Sequence, residues 1–217
     1  MLNPVPQHLN SLNLVEISLA LANVEHFIFF GTLLGIARDG DIIPNDDDID
    51  IYVDINSKKD LIHALTEHGF NVDVKTYPNL SDYFLQLQIE RENILTYVDF
   101  YFFEQSDPNF IVDKWNFSGD FDNHYSEMHV PKNLIFPLKK YIYKNHEISI
   151  PAHPEQLCIF LYGKGWKIPL KKGKQYFTLI IKNRPVIAKG FSGKLIFLIT
   201  KTYQRMQSKL YRFFNSP

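Results

Sequence analysis

Gly31-Thr32-Leu33-Leu34-Gly35-Ile36-Ala37-Arg38, followed after a short turn by Ile43-Pro44-Asn45-Asp46-Asp47-Asp48-Ile49-Asp50-Ile51, is the stretch on which the fold turns. It opens with two glycines, closes with four aspartates in five residues, and runs directly into the apolar Ile51-Tyr52-Val53. Side chains alternate along a strand, so Asp46, Asp48 and Asp50 are expected to line one face at i, i+2 steps. Like charges placed side by side cost energy unless a cation or a cationic substrate sits among them. A solvated acidic turn fits poorly, because such a run normally ends a strand rather than starting one. A calcium loop of the EF-hand type fails on spacing: counted from Asp46, the sixth residue is Ile51 rather than Gly, and the twelfth is Ser57 rather than Glu. A Mg²⁺ site fits best, with carboxylates holding a hard cation that also meets substrate phosphates.

Upstream, Phe27-Ile28-Phe29-Phe30 is a short apolar run that predicts a buried strand. Gly31-Thr32 then marks a helix N-terminus, where backbone amides favour a phosphate, with Leu33 to Arg38 as one or two turns. Arg38 is the only Lys or Arg before Lys58, and two readings stand: a clamp on a phosphate, or a structural ion pair with the neighbouring acids. Residues 8–25 read as an amphipathic helix, with Leu9, Leu12, Val15, Leu19 and Leu21 as its apolar stripe.

Downstream, Ser57-Lys58-Lys59-Asp60 starts a helix, with Ser57 as cap and an acid in the first turn, that stops at Gly69. Strands are expected at 70–77, 83–89 and 94–103, with Asn79 and Glu92-Asn93 as turns. In the last strand, Tyr97-Val98-Asp99-Phe100-Tyr101 sets one acid among apolar and aromatic neighbours. That placement is costly unless the carboxylate is paired, hydrogen-bonded or bound to metal. If the two strands are adjacent, Asp99 completes a triad with Asp48 and Asp50, and it can also serve as base toward a hydroxyl. The alternative is an edge-strand acid facing water. Residues 104–133, including Trp115, show no clean period. A hairpin is expected around Lys144-Asn145-His146, and a helix at 154–162 closed by Gly163. His124, His129 and His153 lack a second ligand type nearby and read as ordinary. The fold class expected is α+β: a mixed β-sheet with helices packed on it, and a helical C-terminal tail.

Composition is consistent with this. The chain has 217 residues, 45% hydrophobic and 15% aromatic, enough to bury a core. Its one cysteine, Cys158, excludes an internal disulfide and a multi-cysteine zinc site. Met1 to Pro6 has neither the basic nor the apolar region of a secretory signal, and no apolar run matches the span of a bilayer. The expected location is cytoplasmic, peripheral on the inner face of the membrane.

The net charge of −1 conceals a division: residues 163–217 hold 13 of the 23 Lys/Arg and none of the 24 Asp/Glu. We therefore expect a catalytic domain at 1–170 and a basic helical extension at 171–217. In the extension, Leu195, Leu198, Ile199, Met206, Leu210 and Phe213 fall near one helical stripe, and Lys201, Arg205 and Lys209 recur every four residues on another. Such a helix predicts membrane-surface contact through 190–214, or docking on the acidic domain of its own chain. No nucleic-acid motif accompanies it.

A glycine followed by a hydroxyl residue, then Asp-x-Asp, then an acid on a later strand is the pattern of the nucleotidyltransferase fold. The fuller Gly-Thr-Leu-Leu-Gly-x-x-Arg and Ile-Pro-x-Asp-Asp-Asp-Ile-Asp-Ile resemble the LicD family, which includes the fukutin-related proteins. The resemblance extends to Val98-Asp99-Phe100, Phe136-Pro137-Leu138-Lys139 and Leu161-Tyr162-Gly163-Lys164-Gly165-Trp166. Asn45 departs from it, standing where the family typically has Trp. The resemblance implies transfer of a phosphorylated alcohol, phosphocholine or a phospho-polyol, from a CDP-activated donor to a hydroxyl of a cell-surface glycan or glycolipid. It implies Mg²⁺, with Mn²⁺ as a substitute, held by Asp48, Asp50 and Asp99. Gly31, Thr32 and Arg38 would then stand around the phosphates, with Asp46, Lys139 and Trp166 as further substrate-binding candidates. From the residues themselves, Trp166 serves equally as a packed helix stop. The competing activity is transfer of NMP from an NTP to a small molecule, sugar or protein, and a binding module without turnover is the non-enzymatic alternative.

Overall fold

The computed structural model describes residues 5–72, 82–114, 127–170 and 176–215. Its elements run α1 (Gln7–Ala20), β1 (His26–Ile28), α2 (Phe30–Asp39), β2 (Asp48–Asp54), a 3-10 turn (Ile55–Ser57), α3 (Lys58–Glu67), β3 (Phe84–Arg91) and β4 (Ile94–Glu104). Then follow β5 (Phe110–Asp113), β6 (Met128–Pro131), α4 (Lys132–Ile135), β7 (Lys139–Tyr143), β8 (His146–Ile150), α5 (Pro154–Tyr162), β9 (Tyr176–Ile181), β10 (Arg184–Lys189) and α6 (Gly190–Asn215). The fold is α+β, as expected.

Among the described residues the main sheet has six strands in the order β1-β2-β4-β5-β6, with β3 also paired to β4. The β2–β4 pairing is parallel, and its register sets Asp50 opposite Asp99. All other pairings in the sheet are antiparallel. β4 is therefore flanked by β2 on one side and β3 on the other. Val98, Phe100 and Phe102 on one face and Asp99, Tyr101 and Phe103 on the other are all buried, as expected for the central strand of a sheet covered on both faces. Phe29 stacks on Tyr52, with ring centroids 3.9 Å apart, and Phe27, Phe30, Tyr101 and Phe103 surround the pair.

Several expectations need correction. Leu12 and Leu19 of α1 are exposed, whereas Asn10 and Asn13 are completely buried. The buried asparagines sit among apolar residues because they have polar partners: Asn10 Nδ2 donates to the Asp46 carbonyl at 2.9 Å, Asn13 Nδ2 to Thr96 Oγ1 at 2.7 Å, and Arg91 Nε to Asn13 Oδ1 at 2.8 Å. Ser57 caps nothing by its side chain; the Asp54 carboxylate accepts from Asn56 N at 2.8 Å instead. Residues 70–72 are not a strand, and the rest of the strand expected there lies outside the described residues, as do Asn79, Trp115 and His124. The stretch 104–133, read as irregular, contains β5, β6 and the start of α4.

The extension is also not purely helical. A hairpin, β9–β10, precedes α6 and turns at Lys182-Asn183, both with positive φ. It rests on the rest of the chain, with His129 N donating to the Asn183 carbonyl at 2.9 Å.

Candidate functional site

Three elements converge on the acids. β2 brings Asp48 and Asp50, β4 brings Asp99, and the first turn of α2 brings Gly31. Asp48, Asp50 and Asp99 can each offer one carboxylate oxygen such that all lie within 4.8 Å of one another, and Asp46, Asp47 and Asp48 form a second such group. Asp50 and Asp99 are buried, and Asp48 is half-buried.

Asp46 is not on the strand. Asn45 takes a left-handed backbone (φ 63), and β2 begins only at Asp48, so the expected ladder holds for Asp48 and Asp50 alone. Asn tolerates this conformation better than most residues, which suits it to the turn that delivers the acids. Asp46 still reaches the site from that turn: a Cβ built on Gly31 would lie 2.9 Å from Asp46 Oδ2 and 3.2 Å from Asp50 Oδ2.

Asp50 is held at both ends by the start of α2. The Gly31 amide donates to Asp50 Oδ2 at 2.8 Å, and the Asp50 amide donates to Thr32 Oγ1 at 2.8 Å. Thr32 is itself almost entirely buried, so its hydroxyl locks the helix to the strand. Gly35 lets the turn after α2 fold back against the helix, since a Cβ there would meet the Asp41 carbonyl oxygen at 2.6 Å.

The electrostatics follow from burial. Desolvation, then repulsion by Asp48, Asp99 and Asp46, holds the Asp50 carboxyl well above the usual range, against the opposing pull of the Gly31 amide. Asp99 is pushed up to about 7, first by burial and then by Asp48, while hydrogen bonds from Gln86 and Tyr101 pull it down. Gln86 Nε2 donates to Asp99 Oδ1 at 2.9 Å from the register position opposite it on β3. Gln86 and Tyr101 were not anticipated. The signal lay in alternation: Gln86 shares a face of Phe84-Leu85-Gln86-Leu87-Gln88 opposite to the buried leucines, and Tyr101 is two residues from Asp99.

A cluster of buried carboxylates with raised proton affinity, all oxygen donors within reach of one point, is the donor set of a hard divalent cation. The residues present fit Mg²⁺.

The remaining candidates lie elsewhere. Arg38 forks onto Asp39, with Nη2 at 2.7 Å, rather than onto the acid cluster. It lines a small pocket of about 40 Å³ with Leu34, Tyr162, Trp166, Ile168 and Ile187. Trp166 is buried there, and Ile187 comes from the extension hairpin. Lys139 is exposed on β7, in a two-stranded sheet separate from the one that carries the acids.

A family model described as LicD/FKTN/FKRP, nucleotidyltransferase domain, matches residues 23–153. The chain belongs to the LicD family. The match spans β1 through β8 and includes every carboxylate of the site, so the LicD assignment and the geometry coincide on the same residues. LicD membership and the acid cluster together identify a nucleotidyltransferase-fold transferase. A comparison with curated proteins finds no match. Among solved structures, a lincomycin-bound lincosamide antibiotic adenylyltransferase, LnuA, is similar at 18% identity and a TM-score of 0.43, covering 71% of this chain and 85% of that one.

Proposed function

We propose that this protein transfers a phosphorylated alcohol from a CDP-activated donor to a hydroxyl of a cell-surface glycan or glycolipid, with Mg²⁺ held by Asp48, Asp50 and Asp99. The convergence of those three carboxylates from two adjacent parallel strands supports the reading most strongly. Phosphoryl transfer needs in-line positioning and neutralisation of charge more than covalent help from the protein. The cation supplies the neutralisation. The chain supplies the rest: β2 and β4 fix the carboxylates, and the first turn of α2 points its positive end at the same place.

In the transfer, the acceptor oxygen bonds to the β-phosphorus of the donor. The P–O bond to CMP breaks, and CMP leaves with the electron pair. The acceptor proton goes to a carboxylate, a role we give to Asp99.

Asp48→Asn and Asp50→Asn should retain the wild-type fold and transfer nothing; wild-type transfer by either variant refutes the assignment. Product analysis separates the two activities. CMP released from CDP-choline, CDP-ribitol or CDP-glycerol supports the proposal, whereas pyrophosphate released from an NTP supports nucleotidyl transfer. A thermal-shift screen over the same nucleotides, with and without Mg²⁺, should reveal the donor, because ligand binding raises apparent stability.

A further inference from the structure

The C-terminal hairpin and helix leave a large apolar surface that the described chain does not cover. α6 is seated on the hairpin through one side only. A Cβ at Gly193 would lie 2.5 Å from the Ala188 carbonyl carbon, so only glycine permits that approach. Phe197 and Thr200, four and seven residues further on, are half-buried on the same side. The other side faces outward. Phe191 is 85% exposed, Ile199 60%, Tyr203 59% and Met206 58%, and Leu195, Ile196 and Leu198 are about half exposed. Leu195, Ile199, Tyr203 and Met206 stand four, four and three residues apart, which makes a continuous stripe. Large side chains so placed are seldom left to water on a soluble surface.

Charge decides what covers the stripe. Lys194 is exposed beside it, and the sequence adds Lys201, Arg205 and Lys209 at four-residue steps. No acid occurs anywhere from 163 to 217, where 13 cations are found. A second copy packed stripe to stripe would bring two such basic segments together. An anionic lipid surface satisfies both features at once, taking the stripe into its headgroup boundary and the cations onto its phosphates.

We propose that α6 seats the protein on an anionic membrane surface, with the apolar stripe Phe191-Leu195-Ile199-Tyr203-Met206 immersed and the lysines and arginines on the lipid phosphates. No described helix is long and apolar enough to cross the bilayer, so the contact lies in the plane of the surface. The hairpin gives the contact a fixed geometry. It is tied to β6 through the His129–Asn183 bond, and Ile187 reaches the Arg38–Trp166 pocket. The lipid contact rests on no part of the transfer reaction, and its test reads no turnover.

The full-length protein is sedimented with vesicles of equimolar phosphatidylglycerol and phosphatidylcholine, and with phosphatidylcholine alone. Pelleting with the first, weakened by salt, and little with the second is the expected result. Lys194→Gln and Lys201→Gln should each lower partitioning by roughly fivefold. Leu195→Asp with Ile199→Asp should abolish it, and because both side chains are exposed, the melting temperature should stay unchanged. Equal binding to neutral vesicles, wild-type binding by the Asp double variant, or a dimer in light scattering that the same variant dissolves without any vesicle binding overturns the proposal.

Discussion

Asp99→Asn should remove much of the pH dependence of stability in the metal-free protein. Asp99 titrates at about 7 when folded, against an ordinary 3.8. Below 3.8 it is protonated in both states, and its contribution to stability is fully present. As pH rises from there, the unfolded chain releases the proton while the folded chain keeps it, and above 7 the folded chain must accept a buried charge. The contribution is lost across that window, a total of roughly 4 kcal/mol, of which about 2–3 kcal/mol falls between pH 5 and pH 8. Urea melts in EDTA at those two pH values should show wild type losing that amount and Asp99→Asn losing much less. The variant also removes one of the charges that raise Asp50, which changes the result in the same direction. Mg²⁺ at pH 8 should restore wild type and do little for the variant. Parallel pH curves for the two proteins, with and without Mg²⁺, would refute the view that these carboxylates are held in a desolvated, mutually repelling cluster.

Gly31→Ala should fold normally, because its Cβ meets only movable carboxylate oxygens, but displacing Asp46 and Asp50 should abolish Mg²⁺-dependent thermal stabilisation. Gly35→Ala meets backbone instead, at the Asp41 carbonyl, and should cost about 1–3 kcal/mol in a denaturant melt whatever the metal. Gln86→Leu removes a donor from Asp99, so in EDTA the titration of the Asp99 carboxyl, followed by NMR, should move upward. Arg91→Ala strands the buried Asn13 Oδ1 and should cost about 1–3 kcal/mol by urea melt.

The readable parts of the sequence were those where one residue type contradicts its surroundings. Asp99 was legible because a lone acid in an aromatic strand demands a partner, and its neighbours in β2 had already announced one. α5 begins and ends where Pro154 and Gly163 punctuate it. What stayed hidden were contacts set by other elements. Asn10 and Asn13 broke the apolar stripe of α1 because a turn and a strand far along the chain require their amides. Arg38 is followed by Asp39, Asp41 and the acid run, and only the course of α2 selects Asp39. The extension hairpin was missed despite a visible signal. Glu92-Asn93, Lys144-Asn145 and Lys182-Asn183 all turn with positive φ at both residues, and the first two had been read as turns.

The row Asp50–Asp99–Gln86 crosses three neighbouring strands, with its middle member on β4 where that strand is paired along both edges. The amides around Asp99 should therefore be among the last in the chain to exchange with deuterium, opening only when the whole domain does. A repulsive pair placed on a fraying edge would relax by local melting. Placed here it has no such escape, so the cluster stays assembled between turnovers, and a cation arriving from solvent meets its ligands already in position.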